Sequence, residues 1–132
     1  LYHDASEILT GDLPTPIKYH NAEIMSAYHA VEDLAVQKLL GMLPPELREA
    51  YADVLDEDKD GDIYPLVKAA DKLSAYIKCI EERKAGNNEF LSAEAQTRAA
   101  LEASPLPEVQ YFLEHFIPAF ERDLDELGAI GQ

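Results

Sequence analysis

Cysteine, tryptophan and basic residues are scarce in this 132-residue sequence, which has one Cys and no Trp. The single cysteine, Cys79, excludes a disulfide framework and a cysteine-based zinc cluster, and it suits a reducing cytoplasm. Eleven Lys and Arg stand against 26 Asp and Glu, giving a net charge of −15. Because such a charge repels phosphate backbones and anionic surfaces, we expect neither a nucleic-acid polymer nor a membrane as partner.

Apolar residues recur at helical spacing throughout the chain, and no segment shows the alternation of a strand. The pattern therefore predicts an all-α fold, with a single domain over residues 1–132. The predicted helices cover residues 1–10, about 22–40 after an N-cap at Asn21, 45–55, 64–84 before Gly86, 89–103, and 107–127 with a kink at Pro118. Prolines 14 and 16 predict a non-helical stretch over residues 11–16.

The acidic segment 56–62 resembles a calcium-binding loop at its first positions, Asp56, Asp58 and Asp60. Val67 stands where that loop requires a bidentate glutamate, so the segment predicts a solvated linker instead.

His3, Asp4 and Glu7 form the first candidate site. On a continuous helix Glu7 lies between His3 and Asp4, while Ile8 and Leu9 lie on the opposite face, which we expect to pack on the core. Adjacent His and Asp ligands with a nearby carboxylate can hold a divalent metal and act on its bound water. The alternative is a polar helix face without function.

Two further carboxylates are candidates. Asp71 flanks the apolar stripe of its helix beside Val67 and Ser74, away from the solvent side, and carboxylates near a core are rare unless paired or metal-bound. The alternative for Asp71 is a boundary residue that contacts Lys68 or Lys78. Asp12 lies in the proline-stiffened loop, where a side chain can be held toward a ligand or can simply form a turn.

Taken together, these segments resemble a known family. Residues 2–19, YHDASEILTGDLPTPIKY, resemble the central motif of the HD-domain 5′-deoxynucleotidases of the YfbR type. Residues 66–79, LVKAADKLSAYIKC, resemble the helix of that family that carries a distant metal-binding Asp. The segment GNNEF at 86–90 and the Phe-rich last helix match as well, so the resemblance covers essentially the whole chain.

The resemblance implies an HD-domain helical bundle that hydrolyses deoxyribonucleoside 5′-monophosphates to deoxynucleoside and phosphate, as a cytoplasmic homodimer. It implies a divalent metal ion such as cobalt or manganese, with ligands His3, Asp4 and Asp71. Glu7 is then the catalytic acid/base. The substrate-binding residues are Asp12, at the 3′-hydroxyl of the sugar, Leu13, Pro14 and Thr15.

In that family the first metal-binding His and an Arg and a Trp that contact the substrate lie upstream of the matched motif. We therefore expect an N-terminally incomplete HD domain with little phosphatase activity of its own and a tendency to self-associate. The alternative, from a different class, is a non-catalytic acidic helical interaction domain that retains an incomplete HD pocket.

Overall fold

The computed structural model describes residues 2–18, 20–56, 61–123 and 126, and these residues form helices and turns without a strand. The all-α prediction is confirmed. None of the described helices is long and apolar enough to cross a membrane. Backbone contacts group the chain into two compact units, Leu1–Gly61 and Asp62–Gln132. The boundary falls in the predicted acidic linker, of which residues 57–60 lie outside the described part; the single domain stays a prediction.

The N-terminal unit is organised around one long helix. Its elements are α1 Glu7–Thr10, α2 Thr15–Lys18, α3 Ala22–Met42 and α4 Pro45–Leu55. Helix α3 begins as predicted, because the Asn21 side chain accepts a hydrogen bond of 2.8 Å from the amide of Ile24. Helices α1, α2 and α4 each pack on α3, which therefore positions every other element of the unit.

Two predictions in this unit are wrong in part. The helix predicted over residues 1–10 begins only at Glu7. Residues 3–6 instead form turns, closed by hydrogen bonds between residues three apart, such as that from the Glu7 amide to the Asp4 carbonyl. The non-helical stretch predicted over 11–16 is correct for 11–14, but Thr15 and Pro16 belong to α2. Proline is compatible with the first turn of a helix, since its missing N–H has no intrahelical acceptor there.

The C-terminal unit consists of α5 Tyr64–Lys84, α6 Leu91–Glu102, α7 Pro107–His115 and α8 Ile117–Glu121. Helix α5 has the predicted bounds, and Gly86 follows its end at φ +87°, a conformation that glycine adopts without strain. The kink predicted at Pro118 is a break between α7 and α8 at Phe116. Helix α8 ends at Glu121, because Arg122 is extended. Residue 126 is again helical, and the predicted end near 127 lies outside the described residues.

All four helices contribute to one apolar core. Its buried members are Tyr76, Ile80, Leu101, Val109 and Ile117. At the edge of this core, Arg83 Nε donates to both carboxylate oxygens of Glu94, at 3.1 and 3.0 Å, and its Nη2 donates to Glu121 at 2.7 Å. One guanidinium thus joins α5 to α6 and α8.

Ile80 is 0% exposed at the centre of this core. Ile80→Ala should therefore lower the free energy of unfolding by about 2–5 kcal/mol, through lost burial and the cavity left behind. Denaturant unfolding followed by circular dichroism measures the change. The matched control is Ile63→Ala in the same unit, since Ile63 is 73% exposed and its loss should change stability by less than about 0.5 kcal/mol. Equal losses for the two variants contradict the assigned core.

Candidate functional site

The residues proposed to bind metal and substrate fall in both units. His3, Asp4, Glu7 and the Asp12–Thr15 loop belong to the N-terminal unit, and Asp71 belongs to the C-terminal unit.

The side chains of His3 and Asp4 place a nitrogen and an oxygen, both possible metal ligands, close to each other. His3 Nε2 lies 3.8 Å from Asp4 Oδ1, with the His3 side chain mostly covered and the Asp4 side chain 68% exposed. An imidazole nitrogen beside a carboxylate oxygen suits a divalent cation of borderline hardness, so this pair fits the metal that the sequence implies. Among the described residues, no group of three or more His, Cys, Asp or Glu side chains is close enough to hold an ion.

Glu7 is half-buried at the first position of α1. Its partial burial raises the pKa of the carboxyl, and the negative charges of Asp4 and Asp12 raise it further, while Lys18 acts in the opposite direction. A carboxyl group whose pKa is raised is a better proton donor partner for general acid–base catalysis than an unperturbed one. The environment of Glu7 therefore suits acid/base chemistry.

The apolar face expected beside Glu7 is not covered by the described residues of this chain. Ile8 is 77% exposed and Leu9 is 41% exposed, which is the exposed patch expected of an N-terminally incomplete domain. Ser6 is the buried residue of this turn. Helix α1 is a single turn and the residues before it form turns, so a wheel drawn for a continuous helix does not describe residues 3–6.

The segment from residue 11 to residue 18, called here the 11–18 segment, has a stiff backbone. Gly11 adopts φ +72° and its amide donates 2.9 Å to the carbonyl of Glu7, which ends α1. The Pro14 carbonyl accepts hydrogen bonds from the amides of Ile17 and Lys18, at 2.8 and 3.0 Å. Asp12 and Pro14 are exposed and Leu13 is half-buried; the Thr15 side chain lies outside the described part.

Helix α3 holds this segment at both ends. The Tyr28 hydroxyl donates 3.2 Å to the carbonyl of Gly11, and Lys18 Nζ donates 2.9 Å to Glu32 Oε1. Lys18 Nζ also lies 4.4 Å above the centre of the Tyr28 ring, a cation–π contact. His29 Nδ1 lies 2.9 Å from the other oxygen of Glu32.

Sequence reasoning missed these α3 residues, although one signal was present. Lys18 is the only lysine or arginine between residues 2 and 19, so its position in an otherwise acidic motif could have marked it. Partial burial alone would raise the pKa of Glu32, but the hydrogen bonds from Lys18 and His29 outweigh that effect and lower it. Glu32 is therefore a stable anion at neutral pH.

Asp71 differs from its predicted surroundings. Its side chain is 58% exposed rather than turned from solvent, and Lys68 Nζ lies 3.8 Å from Asp71 Oδ2, one helical turn away. The contact with Lys68 is the one expected if Asp71 is a boundary residue without a metal role. Residue 71 faces outward because the buried positions of α5 are Tyr76 and Ile80. Its role as a metal ligand stays a prediction.

A shallow cavity of about 320 Å³ lies elsewhere in the C-terminal unit, between α5, α6 and α7. Tyr76, Arg98 and Gln110 are among its lining residues, and it includes none of the predicted site residues.

Comparison with known proteins gives a consistent result. Residues 1–120 match the family described as YfbR-like 5′-deoxynucleotidase, so the chain belongs to that family. It is 54% identical over 129 residues to the 5′-deoxynucleotidase YfbR of Shigella flexneri serotype 5b (strain 8401), and 53% identical to that of Escherichia coli (strain K12 / DH10B). Each match covers 97% of this chain and 65% of the relative, so the chain spans just under two thirds of the length of these curated relatives.

The raised pKa of Glu7 has a measurable consequence for stability. A folded state that binds the proton more tightly than the unfolded state loses stability as pH rises above the unfolded pKa of about 4.5. Glu7→Gln removes this loss, so the metal-free variant should be more stable than the parent at pH 7. Because the carboxyl is only partly buried, we expect a gain below about 1 kcal/mol.

Thermal unfolding with a chelator present, at pH 7 and below pH 4, measures this difference. The gain should disappear at the lower pH, where both states of the parent carry the proton. The control, Glu23→Gln, changes an exposed glutamate of α3 and should show no such pH-dependent gain. A Glu7→Gln variant less stable than the parent at pH 7 contradicts the assigned environment.

Proposed function

We propose that this protein is a metal-dependent phosphomonoesterase that hydrolyses deoxyribonucleoside 5′-monophosphates to deoxynucleoside and phosphate. The observation that carries the proposal is the match of residues 1–120 to the YfbR-like 5′-deoxynucleotidase family, together with relatives of that name at 53–54% identity. A partly buried glutamate beside a His–Asp pair supports it, since hydrolysis of a phosphate ester needs both charge compensation and proton transfer.

His3, Asp4 and Asp71 are the proposed ligands of a divalent ion such as cobalt or manganese. When bound, the ion supplies the local positive charge that a chain of net charge −15 needs to attract a phosphate, and it acidifies water. The side chains of His3 and Asp4 contribute one nitrogen and one oxygen donor from adjacent positions.

Glu7 is the proposed acid/base. Its carboxylate accepts a proton from the attacking water, and its carboxyl form returns a proton to the 5′-oxygen of the departing deoxynucleoside. The P–O5′ bond breaks as the new P–O bond forms, and the proton balance is closed on Glu7. The raised pKa of Glu7 favours the return of the proton, because burial and the neighbouring carboxylates stabilise the protonated form.

The loop residues Asp12, Leu13, Pro14 and Thr15 are proposed to bind the nucleotide. Asp12 is exposed next to the end of α1, so its carboxylate is available to accept a hydrogen bond from the 3′-hydroxyl of the sugar. The two prolines of the segment limit the backbone to few conformations, which lowers the entropy lost on binding.

We further propose that the protein is a homodimer in the cytoplasm. The family resemblance supports a homodimer, and a single cysteine supports the reducing cytoplasm. Exposed apolar side chains on α3, among them Val31 and Leu34, are surface that a second copy can cover.

The catalytic role of Glu7 is tested with the full natural protein. Glu7→Ala should lower kcat on deoxyadenosine 5′-monophosphate by about 10²-fold or more, the scale of general acid–base catalysis, and leave metal content unchanged. Phosphate release with added cobalt or manganese, and elemental analysis, measure the two quantities. Glu23→Ala is the matched control and should keep wild-type rates.

Three other outcomes have distinct meanings. An active Glu7→Ala variant removes Glu7 from the mechanism, and a variant that loses the metal makes Glu7 a ligand. A wild-type protein that binds metal but releases no phosphate overturns the phosphomonoesterase and favours the non-catalytic interaction domain.

The metal role of Asp71 is tested by binding rather than turnover. Asp71→Asn should weaken cobalt or manganese binding by at least about tenfold, because an anionic donor is replaced by a neutral amide. Isothermal titration of the chelator-treated full protein measures the affinity. Asp62→Asn, an exposed aspartate of the same unit, is the control and should bind the ion as the parent does. Unchanged affinity in Asp71→Asn removes Asp71 from the ligand set.

A further inference from the structure

The 11–18 segment makes polar contacts to α3 at its first residue and at its last. At the first, the carbonyl of Gly11 accepts a hydrogen bond from Tyr28, and Asp12 follows directly in the chain. At the last, Lys18 donates to Glu32, and each of these two side chains is only 18% exposed. The residues between the two contacts include the proposed nucleotide loop, Asp12 to Thr15.

The two contacts are coupled to each other. Tyr28 and Glu32 are four residues apart on α3, so their side chains lie on one face of a 21-residue helix. Lys18 contacts both, because its ammonium group bonds Glu32 and lies over the ring of Tyr28. Displacing the Lys18 ammonium group therefore also disturbs Tyr28, which bonds Gly11 at the other end of the 11–18 segment.

The segment between the contacts has few conformations of its own. Gly11 ends α1, and the Pro14 carbonyl accepts from the amides of Ile17 and Lys18, so the short chain acts as a stiff piece. A stiff piece fixed at two points has a defined orientation, whereas one fixed at a single point can pivot. The orientation of Asp12 then depends on both contacts with α3.

We propose that Tyr28 and Glu32 are positioning residues that clamp the 11–18 segment to α3 and so hold Asp12 where the sugar 3′-hydroxyl binds. This inference rests on the proposed function for its substrate, and on the contacts to α3 for the clamp. Neither residue touches the reacting atoms. The clamp acts on substrate affinity, through the loop, rather than on the chemical step.

The clamp itself is tested without any substrate. Hydrogen–deuterium exchange of peptides covering residues 11–18 should be at least about threefold faster in Glu32→Gln and in Tyr28→Phe. Tyr28→Phe loses the hydrogen bond to Gly11, and Glu32→Gln gives Lys18 a neutral acceptor in place of a charged one, which weakens that contact. Glu32→Gln keeps the shape of the side chain, and Tyr28→Phe removes only one oxygen, so both should fold. The control is Asp33→Asn, the same charge change one position along α3 on an exposed side chain.

The positioning role is tested with two substrates in the full metal-loaded protein. Deoxyadenosine 5′-monophosphate carries the 3′-hydroxyl, and its 2′,3′-dideoxy analogue does not. In Tyr28→Phe, which removes no charge near Glu7, KM for the first should rise roughly tenfold, the effect of one lost hydrogen bond, with kcat changed less than about twofold. KM for the dideoxy analogue should stay within about twofold of wild type, because that substrate never used the contact.

Each outcome separates the clamp from the proposed function. Exchange rates over residues 11–18 that match wild type in both variants, or that rise equally in Asp33→Asn, overturn the clamp. Equal changes in KM for both substrates, or a loss confined to kcat, overturn the positioning role. A wild-type protein without phosphatase activity overturns the proposed function and the substrate part of this inference, while the exchange data still decide the clamp.

Discussion

The carboxylate of Glu32 accepts a hydrogen bond from Lys18 at 2.9 Å and faces His29 Nδ1 at the same distance, and the N-terminal unit depends on this arrangement. Among its described residues only Ser6 and Ala35 are fully buried, so α1 and α2 lie against α3 without a core of fully buried large side chains. A charge-assisted bond between half-covered partners is stronger than an exposed ion pair, because solvent screens it less. Since the pKa of Glu32 is lowered, its stabilising effect is present at neutral pH and is lost as pH falls through that pKa.

The C-terminal unit is stabilised in a different way. Its four helices share an apolar core around Tyr76 and Ile80, and Arg83 joins three of them at the edge. Burial of large side chains is insensitive to salt and to moderate changes of pH, unlike the polar contacts of the N-terminal unit. The part of the chain that carries His3, Asp4 and Glu7 is therefore the part whose packing responds more to solution conditions.

Local signals in the sequence predicted most of the helices. Asn21 predicted the start of α3, and the apolar spacing and Gly86 predicted the extent of α5, because caps and periodicity act within a few residues. At Ile8 the same logic identified an apolar face, but a periodic pattern does not say which element covers such a face, and here no described element does. The exposure of Asp71 was missed for the same reason.

The candidate site was predicted only through its motif. His3, Asp4 and Glu7 lie within five residues of one another, so type and spacing marked them as candidates, and their roles came from the resemblance of residues 2–19 to the family motif. Tyr28 and Glu32 could not, because they contact residues 14 to 17 positions earlier in the chain. Such contacts depend on how α3 folds back on the 11–18 segment, which periodicity and capping do not encode.

The spacing of Tyr28 and Glu32 on α3 also limits how the length of this protein can change. One residue inserted or deleted between them rotates one side chain by about 100° relative to the other, so the helix could no longer reach both ends of the 11–18 segment. The connection at Leu43 and Pro44, between α3 and α4, is held more locally, since Arg48 donates to the carbonyls of Leu43 at 2.9 Å and Gly41 at 3.2 Å. A change of length there disturbs contacts within a few residues, whereas one between Tyr28 and Glu32 separates the two ends of the 11–18 segment from α3.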